Sequence, residues 1–152
     1  MENTDTRRSH IGRSLFEAST LFNRLAVKLM QDKGFGDIKK MDIDVISQIP
    51  SQGATNIITI AYHLGISKQA VSQKVKSLVD RDYLKKEAPP SHCDTRYADI
   101  SFTAKGLRLL HCGLTITQDL EAHFAKTLGD QQYADLVLKI DQLNSLLTRL
   151  NE

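Results

Sequence analysis

Between Ser67 and Val79 the chain reads Ser67-Lys68-Gln69-Ala70-Val71-Ser72-Gln73-Lys74-Val75-Lys76-Ser77-Leu78-Val79, with three lysines, two side-chain amides, three hydroxyls and no acidic residue. Val71, Val75, Leu78 and Val79 fall on one face of a helix, which leaves Gln69, Ser72, Gln73 and Lys76 on the other. Amides and hydroxyls exchange hydrogen bonds with base edges in a major groove, and lysines pair with phosphates or with guanine. The chemistry on offer is reversible recognition of a polar, anionic surface. Taken alone, such a face is also that of any solvated helix, so the elements around it have to decide.

Upstream, Asn56 to Leu64 has the pattern of a short helix that Thr55 can cap, and Gly65 stands where a helix C-terminus favours a left-handed residue. Ser67 can cap the following helix, Lys68 to about Arg81, and Ile66 is spaced to meet Val71 in a hydrophobic staple. Two short helices joined by a tight glycine turn form a helix-turn-helix. Tyr83 to Glu87 and Tyr97 to Ser101 are strand-like runs separated by Ala88-Pro89-Pro90-Ser91-His92-Cys93-Asp94-Thr95-Arg96, and a hairpin in this position is a wing. Pro89-Pro90 stiffens its base. Together these features turn the polar face of Ser67 to Lys76 into a recognition helix.

Long helices flank this lobe. Ile11, Leu15, Ala18, Phe22, Leu25 and Leu29 recur at spacings of three and four, which predicts an amphipathic helix from Ile11 to about Lys33, ended by Gly34-Phe35-Gly36-Asp37. A short helix from Met41 to Ile49 stops at Pro50. Thr103 caps a helix from Ala104 to about Leu128, Gly129-Asp130 breaks it, and a last helix runs from Gln131 to Leu150. In that last helix Leu136, Ile140, Leu143, Leu147 and Leu150 alternate steps of four and three, a coiled-coil-type seam that wants a partner helix.

The run from Ile60 through Leu64-Gly65-Ile66-Ser67 to Leu78, with Asp94-Thr95-Arg96 in the wing and Phe102-Thr103-Ala104-Lys105-Gly106 after it, resembles the MarR family of winged helix-turn-helix regulators. The resemblance covers nearly the whole chain. It implies a mainly α fold, a single MarR-like domain over 1–152, whose winged lobe is 38–102 (helix-turn-helix 56–79, wing 83–101) and whose dimerisation helices are 9–33 and 103–152. It further implies a homodimer that binds double-stranded DNA at a palindromic operator and acts as a ligand-responsive repressor, with a small-molecule effector of phenolic or lipophilic type. The expected DNA-binding residues are Ser67, Lys68, Gln69, Ser72, Gln73 and Lys76 on the helix, with Arg96 entering the minor groove and Asp94 orienting it. A guanidinium suits a narrow, strongly negative groove, and a carboxylate two residues away lies on the same side of an extended strand. Where the family carries a pattern like G-L-I-x-R, this chain has Asp82-Tyr83-Leu84-Lys85-Lys86. Asp82 must then adopt the turn conformation that glycine would supply, and Lys86 replaces a forked donor with a point charge.

Composition constrains the other classes. The 152 residues suit one domain, and 41% hydrophobic with 25% charged residues is the balance of an ordinary soluble protein. Net charge is only +2, and residues 41–101 carry seven basic and seven acidic groups, so the balance breaks only locally, with Lys68, Lys74 and Lys76 unopposed and joined by Arg96 in the wing. Met1 to Arg8 is polar and reads as no signal peptide, and no apolar run is long enough for a membrane, so a cytoplasmic location is expected. His92-Cys93 and His111-Cys112 suggest metal or thiol chemistry. Adjacent helical residues point about 100° apart, however, and no zinc-type spacing is present, so neither metal nor cofactor is expected. His92 beside Cys93 and Arg96 near it could lower the thiol pKa as in a redox switch, but Cys93 reads better as an incidental exposed cysteine of the wing, and Cys112 as a small apolar filler. No nucleophile elbow, phosphate loop or H-E-x-x-H occurs, which disfavours an enzyme. A metal- or thiol-responsive regulator and a winged-helix protein-interaction module remain the rival classes.

Overall fold

A computed structural model describes residues 10–87 and 98–151 and divides into two compact units, residues 1–113 and 114–152. In the first unit, α1 (Ile11–Asp32), α2 (Lys40–Ile46), α3 (Ile57–Leu64) and α4 (Lys68–Asp80) are followed by β1 (Leu84–Glu87) and β2 (Asp99–Phe102), and α5 (Ala104–Leu128) begins. The second unit contains the rest of α5 and α6 (Asp130–Leu150). The mainly helical winged arrangement expected from the sequence is present. None of the helices among the described residues is long and apolar enough to cross a membrane.

The first unit is built around α4. Val71, Val75 and Leu78 are fully buried, as are Ile57 and Ile60 of α3, Val45 of α2 and Ile38 ahead of it. Burying each such aliphatic side chain contributes about 1.5–3 kcal/mol, so this shared face is the main force holding α2, α3 and α4 together. Strands β1 and β2 pair antiparallel, Leu84 opposite Phe102 and Glu87 opposite Asp99. A two-stranded hairpin is marginal by itself. Here Leu84, Ile100 and Phe102 are buried, which ties it to the helical core.

Several boundaries differ from the sequence reading. Asn56, not Thr55, caps α3: its Oδ1 accepts from the Thr59 amide at 3.0 Å. The backbone of Thr55 is engaged with Ile100, giving a hydrogen bond each way at 3.0 and 2.7 Å, and this extends the pairing of β2 by one bridge. Helix α2 ends at Ile46 rather than Ile49, because the next turn tightens to three-residue hydrogen bonds, Gln48 to Val45 and Ile49 to Ile46. Strand β1 starts one residue later than expected. Tyr83 instead donates its amide to Leu78 and accepts at its carbonyl from Thr103. The coiled-coil-type seam of α6 is exposed, Leu136 at 46%, Leu147 at 46% and Leu150 at 82%, and no described residue of α6 is buried.

Candidate nucleic-acid interface

The turn before α4 is locally determined. Gly65 adopts φ 64°, ψ 30°, the Ile66 amide donates to Ala61 and the Gly65 amide to Tyr62, the paired bonds of a Schellman stop. Ser67 follows in extended conformation and accepts from the Ala70 amide at 3.1 Å, which caps α4 and leaves the hydroxyl proton free to donate outward. With Val71, Val75 and Leu78 packed inward, Ser67, Lys68, Gln69, Ser72, Gln73 and Lys76 are all exposed along one side of the helix. The six helical residues expected to form the site are thus brought together. Asp94 and Arg96, like Cys93, lie outside the described residues.

Asp82 links α4 to the wing at φ 62°, the only non-glycine with positive φ among the described residues, so it does take up the glycine-type turn. The wing root is then clamped. Thr103 donates its hydroxyl to the Asp82 carbonyl at 2.6 Å and accepts from the Gly106 amide at 3.0 Å, capping α5 while holding the turn. Gly106 itself packs so closely that a Cβ would lie 2.0 Å from the Tyr83 carbonyl oxygen. This close approach explains the glycine of the Phe102-Thr103-Ala104-Lys105-Gly106 motif.

One expectation is corrected. Lys74 is not an unopposed cation: its Nζ lies 3.1 Å from Asp42 Oδ1 of α2. Asp42 is fully buried and also accepts from Arg81 Nη2 at 3.0 Å and from the Lys39 amide at 2.9 Å. Burial by itself would raise the Asp42 pKa, but these hydrogen bonds outweigh it and hold the carboxyl below its ordinary value. Arg81 Nη1 reaches the Asp37 carbonyl at 2.9 Å, and the Tyr83 hydroxyl donates to Asp37 Oδ1 at 2.7 Å. That hydrogen bond lowers the Asp37 pKa, whereas burial and the Asp37 charge raise the Tyr83 pKa well above that of a free phenol. Lys105 completes the cluster, its Nζ donating to the Arg81 carbonyl at 2.8 Å and lying 4.2 Å from the centre of the Tyr83 ring. Sequence patterning gave no sign of this cluster, because its members are dispersed from residue 37 to residue 105.

Lys86 was not among the expected site residues, yet it joins them. Ser72, Val75, Lys76, Val79 and Lys86 line a cleft of about 200 Å³ between α4 and β1, with a lysine on each element. Lys68, Lys76 and Lys86 have no carboxylate within ion-pair distance among the described residues, whereas exposed Lys85 lies 3.3 Å from Glu87. Cys112 is free and half-buried, as expected of a filler.

The fold and this face define a winged helix-turn-helix protein. Residues 37–92 match the MarR family model, so the lobe carries that family's sequence signature. A comparison with curated proteins gives no sequence match. Among solved structures the chain is similar to Staphylococcus aureus MarR in complex with salicylate and kanamycin, at 19% identity and TM-score 0.71, over 91% of this chain and 93% of that one. It is also similar to the reduced form of MarR from E. coli, at 19% identity and TM-score 0.73, over 88% of this chain and 96% of that one. A mutant E. coli MarR complexed with operator DNA matches at 19% identity and TM-score 0.68, over 88% and 92%. The chain therefore has the MarR fold along most of its length.

Proposed function

We propose that the protein is a MarR-type transcriptional regulator that binds double-stranded DNA through α4 and the wing. The observation that carries this reading is the exposed, acid-free face of Ser67, Lys68, Gln69, Ser72, Gln73 and Lys76, fixed from behind by a buried apolar face and beside a third lysine, Lys86 of β1. Amides and a hydroxyl there can read base edges, and Lys68, Lys76 and Lys86 can neutralise phosphates. Arg96, oriented by Asp94, is proposed to add a minor-groove contact. The structural relative bound to operator DNA supports the same use of the fold.

The proposed working form is a homodimer. Ile11, Phe16 and Leu21 of α1 are exposed at 66%, 72% and 61%, and the α6 seam is also exposed, though less so, apart from half-buried Leu143. A second copy would cover these apolar positions and set two recognition helices about one helical turn of DNA apart, as a palindromic operator requires. A repressor released by a small molecule fits the same architecture. Between α1 and α2 an open cleft of about 390 Å³ is lined by Thr20, Arg24, Val27, Lys28, Gln31 and Lys40. Arg24 and Lys28 on its rim, beside a Lys40 paired with Asp44 at 2.7 Å, suit an organic acid with an apolar body, and one structural relative is a salicylate complex. A cytoplasmic location follows from DNA binding.

The test is duplex affinity as a function of salt. Counterion release predicts a linear fall of log K with log salt of about 0.9 per phosphate neutralised, and a flat response would overturn the reading.

A further inference from the structure

Asp42 is the one fully buried charged side chain among the described residues, and it belongs to α2, which offers nothing to the proposed DNA face. Two of its three hydrogen-bond partners come from the recognition helix and its C-terminal cap, Lys74 at 3.1 Å and Arg81 at 3.0 Å. Seven residues separate them, about two helical turns, so both lie on one flank of α4 roughly 10 Å apart. A buried apolar face resists separation of two helices but resists rotation and sliding less. Two directional ion pairs to one carboxylate fix both. The same Arg81 also holds Asp37, and its carbonyl accepts from Lys105, so the end of α4 and the wing root are set by the cluster that Asp42 anchors.

Lys74 projects about 160° around the helix from Lys76, with its side chain only 23% exposed. We infer that Asp42 is a positioning residue for sequence reading, which sets the rotation of the recognition helix through Lys74 and Arg81, and that Lys74 is a structural tether and not a phosphate contact. This rests on the proposed DNA binding. Phosphate contacts contribute to affinity on every sequence, whereas the angle of the helix acts chiefly on the base-edge hydrogen bonds that discriminate among sequences.

The experiment compares wild type, Lys74→Met and Lys76→Gln on two labelled duplexes of equal length, one enriched from random DNA on the wild-type protein and one of random sequence. For Lys76→Gln, binding should weaken on both duplexes and the salt slope should fall by about 0.9. For Lys74→Met, affinity and slope on the random duplex should stay at wild-type values, while the preference for the enriched duplex falls at least tenfold. Asp42→Asn should lose the same preference, and the double variant should be no worse than either single one. Should Asp42→Asn fail to fold, Lys74→Met decides alone, because Asp42 keeps Arg81 and the Lys39 amide. Loss of about one unit of slope in Lys74→Met, or an unchanged preference, overturns the inference while DNA binding stands. Salt-independent or absent binding by the wild type overturns the functional reading instead.

Discussion

Replacing a helical glycine by alanine ordinarily stabilises a helix by about 1 kcal/mol, and Gly106 in the first turn of α5 is a position where the sign should reverse. The added Cβ would lie 2.0 Å from the Tyr83 carbonyl oxygen, 3.1 Å from the Tyr83 carbonyl carbon and 2.9 Å from Phe102 Cδ1. Two of these three atoms are backbone at the wing root, held by hydrogen bonds from Thr103, so relief requires α5 to move away from the α4–β1 turn. Overpacking of this kind costs about 1–3 kcal/mol and more where backbone must shift. Set against the helix gain, Gly106→Ala should destabilise by about 2 kcal/mol, which in a chain of this size lowers Tm by about 4–8 °C. Gly113, further along α5, is the control. There a Cβ meets only the terminal methyl of Met30 at 2.9 Å, a flexible end that can turn aside. Gly113→Ala should leave Tm unchanged or raise it by about 2 °C. Circular dichroism melts at one fixed protein concentration compare the three proteins, since assembly would make Tm depend on concentration. A Gly106→Ala Tm at or above wild type would show that the close approach of α5 to the wing root is not real.

Asp82→Gly should raise Tm by about 1–2 °C, since glycine adopts the left-handed conformation of this turn without steric cost, and a fall would mean that the Asp82 side chain has a stabilising partner. Asp42 has a depressed pKa in the folded chain, so its contribution is complete above the unfolded value near 3.9 and is lost as pH falls through the folded one. The urea-midpoint difference between wild type and Asp42→Asn should therefore shrink below about pH 4, and a gap constant from pH 6 to pH 3 would contradict the assignment. Leu147→Glu places a charge on the exposed seam of α6. Sedimentation should show monomers with undiminished helix content and operator affinity reduced by 100-fold or more; a dimer that persists would exclude this face from the interface.

What the sequence disclosed is the part of the structure governed by short range. The Gly65 stop, the Ser67 and Thr103 caps, the Asp82 turn and the inward face of α4 each follow from residues within one or two helical turns. Where a local choice was ambiguous, distant contacts settled it. Thr55 and Asn56 are both competent caps, and the bridge from Thr55 to Ile100, forty-five residues away, assigned the role to Asn56. In α1 the apolar periodicity marked Ile11 and Leu25, but these are exposed and Ala26 and Met30 are buried, because periodicity shows that a face is apolar and not what covers it. The ion pair of Lys74 with Asp42 spans thirty-two residues and leaves no periodic trace. A motif could point to Gly106, but its physical reason, the carbonyl of Tyr83, lies on another element.

That hidden pairing changes how the charge of the lobe should be understood. From residue 41 to 101 acids and bases balance, seven to seven, and counting charge gives no reason to expect an anionic partner. The structure sorts them by place. Lys74 and Arg81 are directed inward to Asp42, and Lys85 is matched by Glu87, so cancellation falls largely behind or beside the recognition face. On that face Lys68, Lys76 and Lys86 stand without a carboxylate among the described residues. In the proposed complex these three lysines, joined by Arg96, would give modest attraction for DNA of any sequence. On the proposed reading, discrimination would rest on Gln69, Ser72 and Gln73, whose hydrogen bonds tolerate little angular error, and this would make a rigidly held helix more valuable than a more basic one.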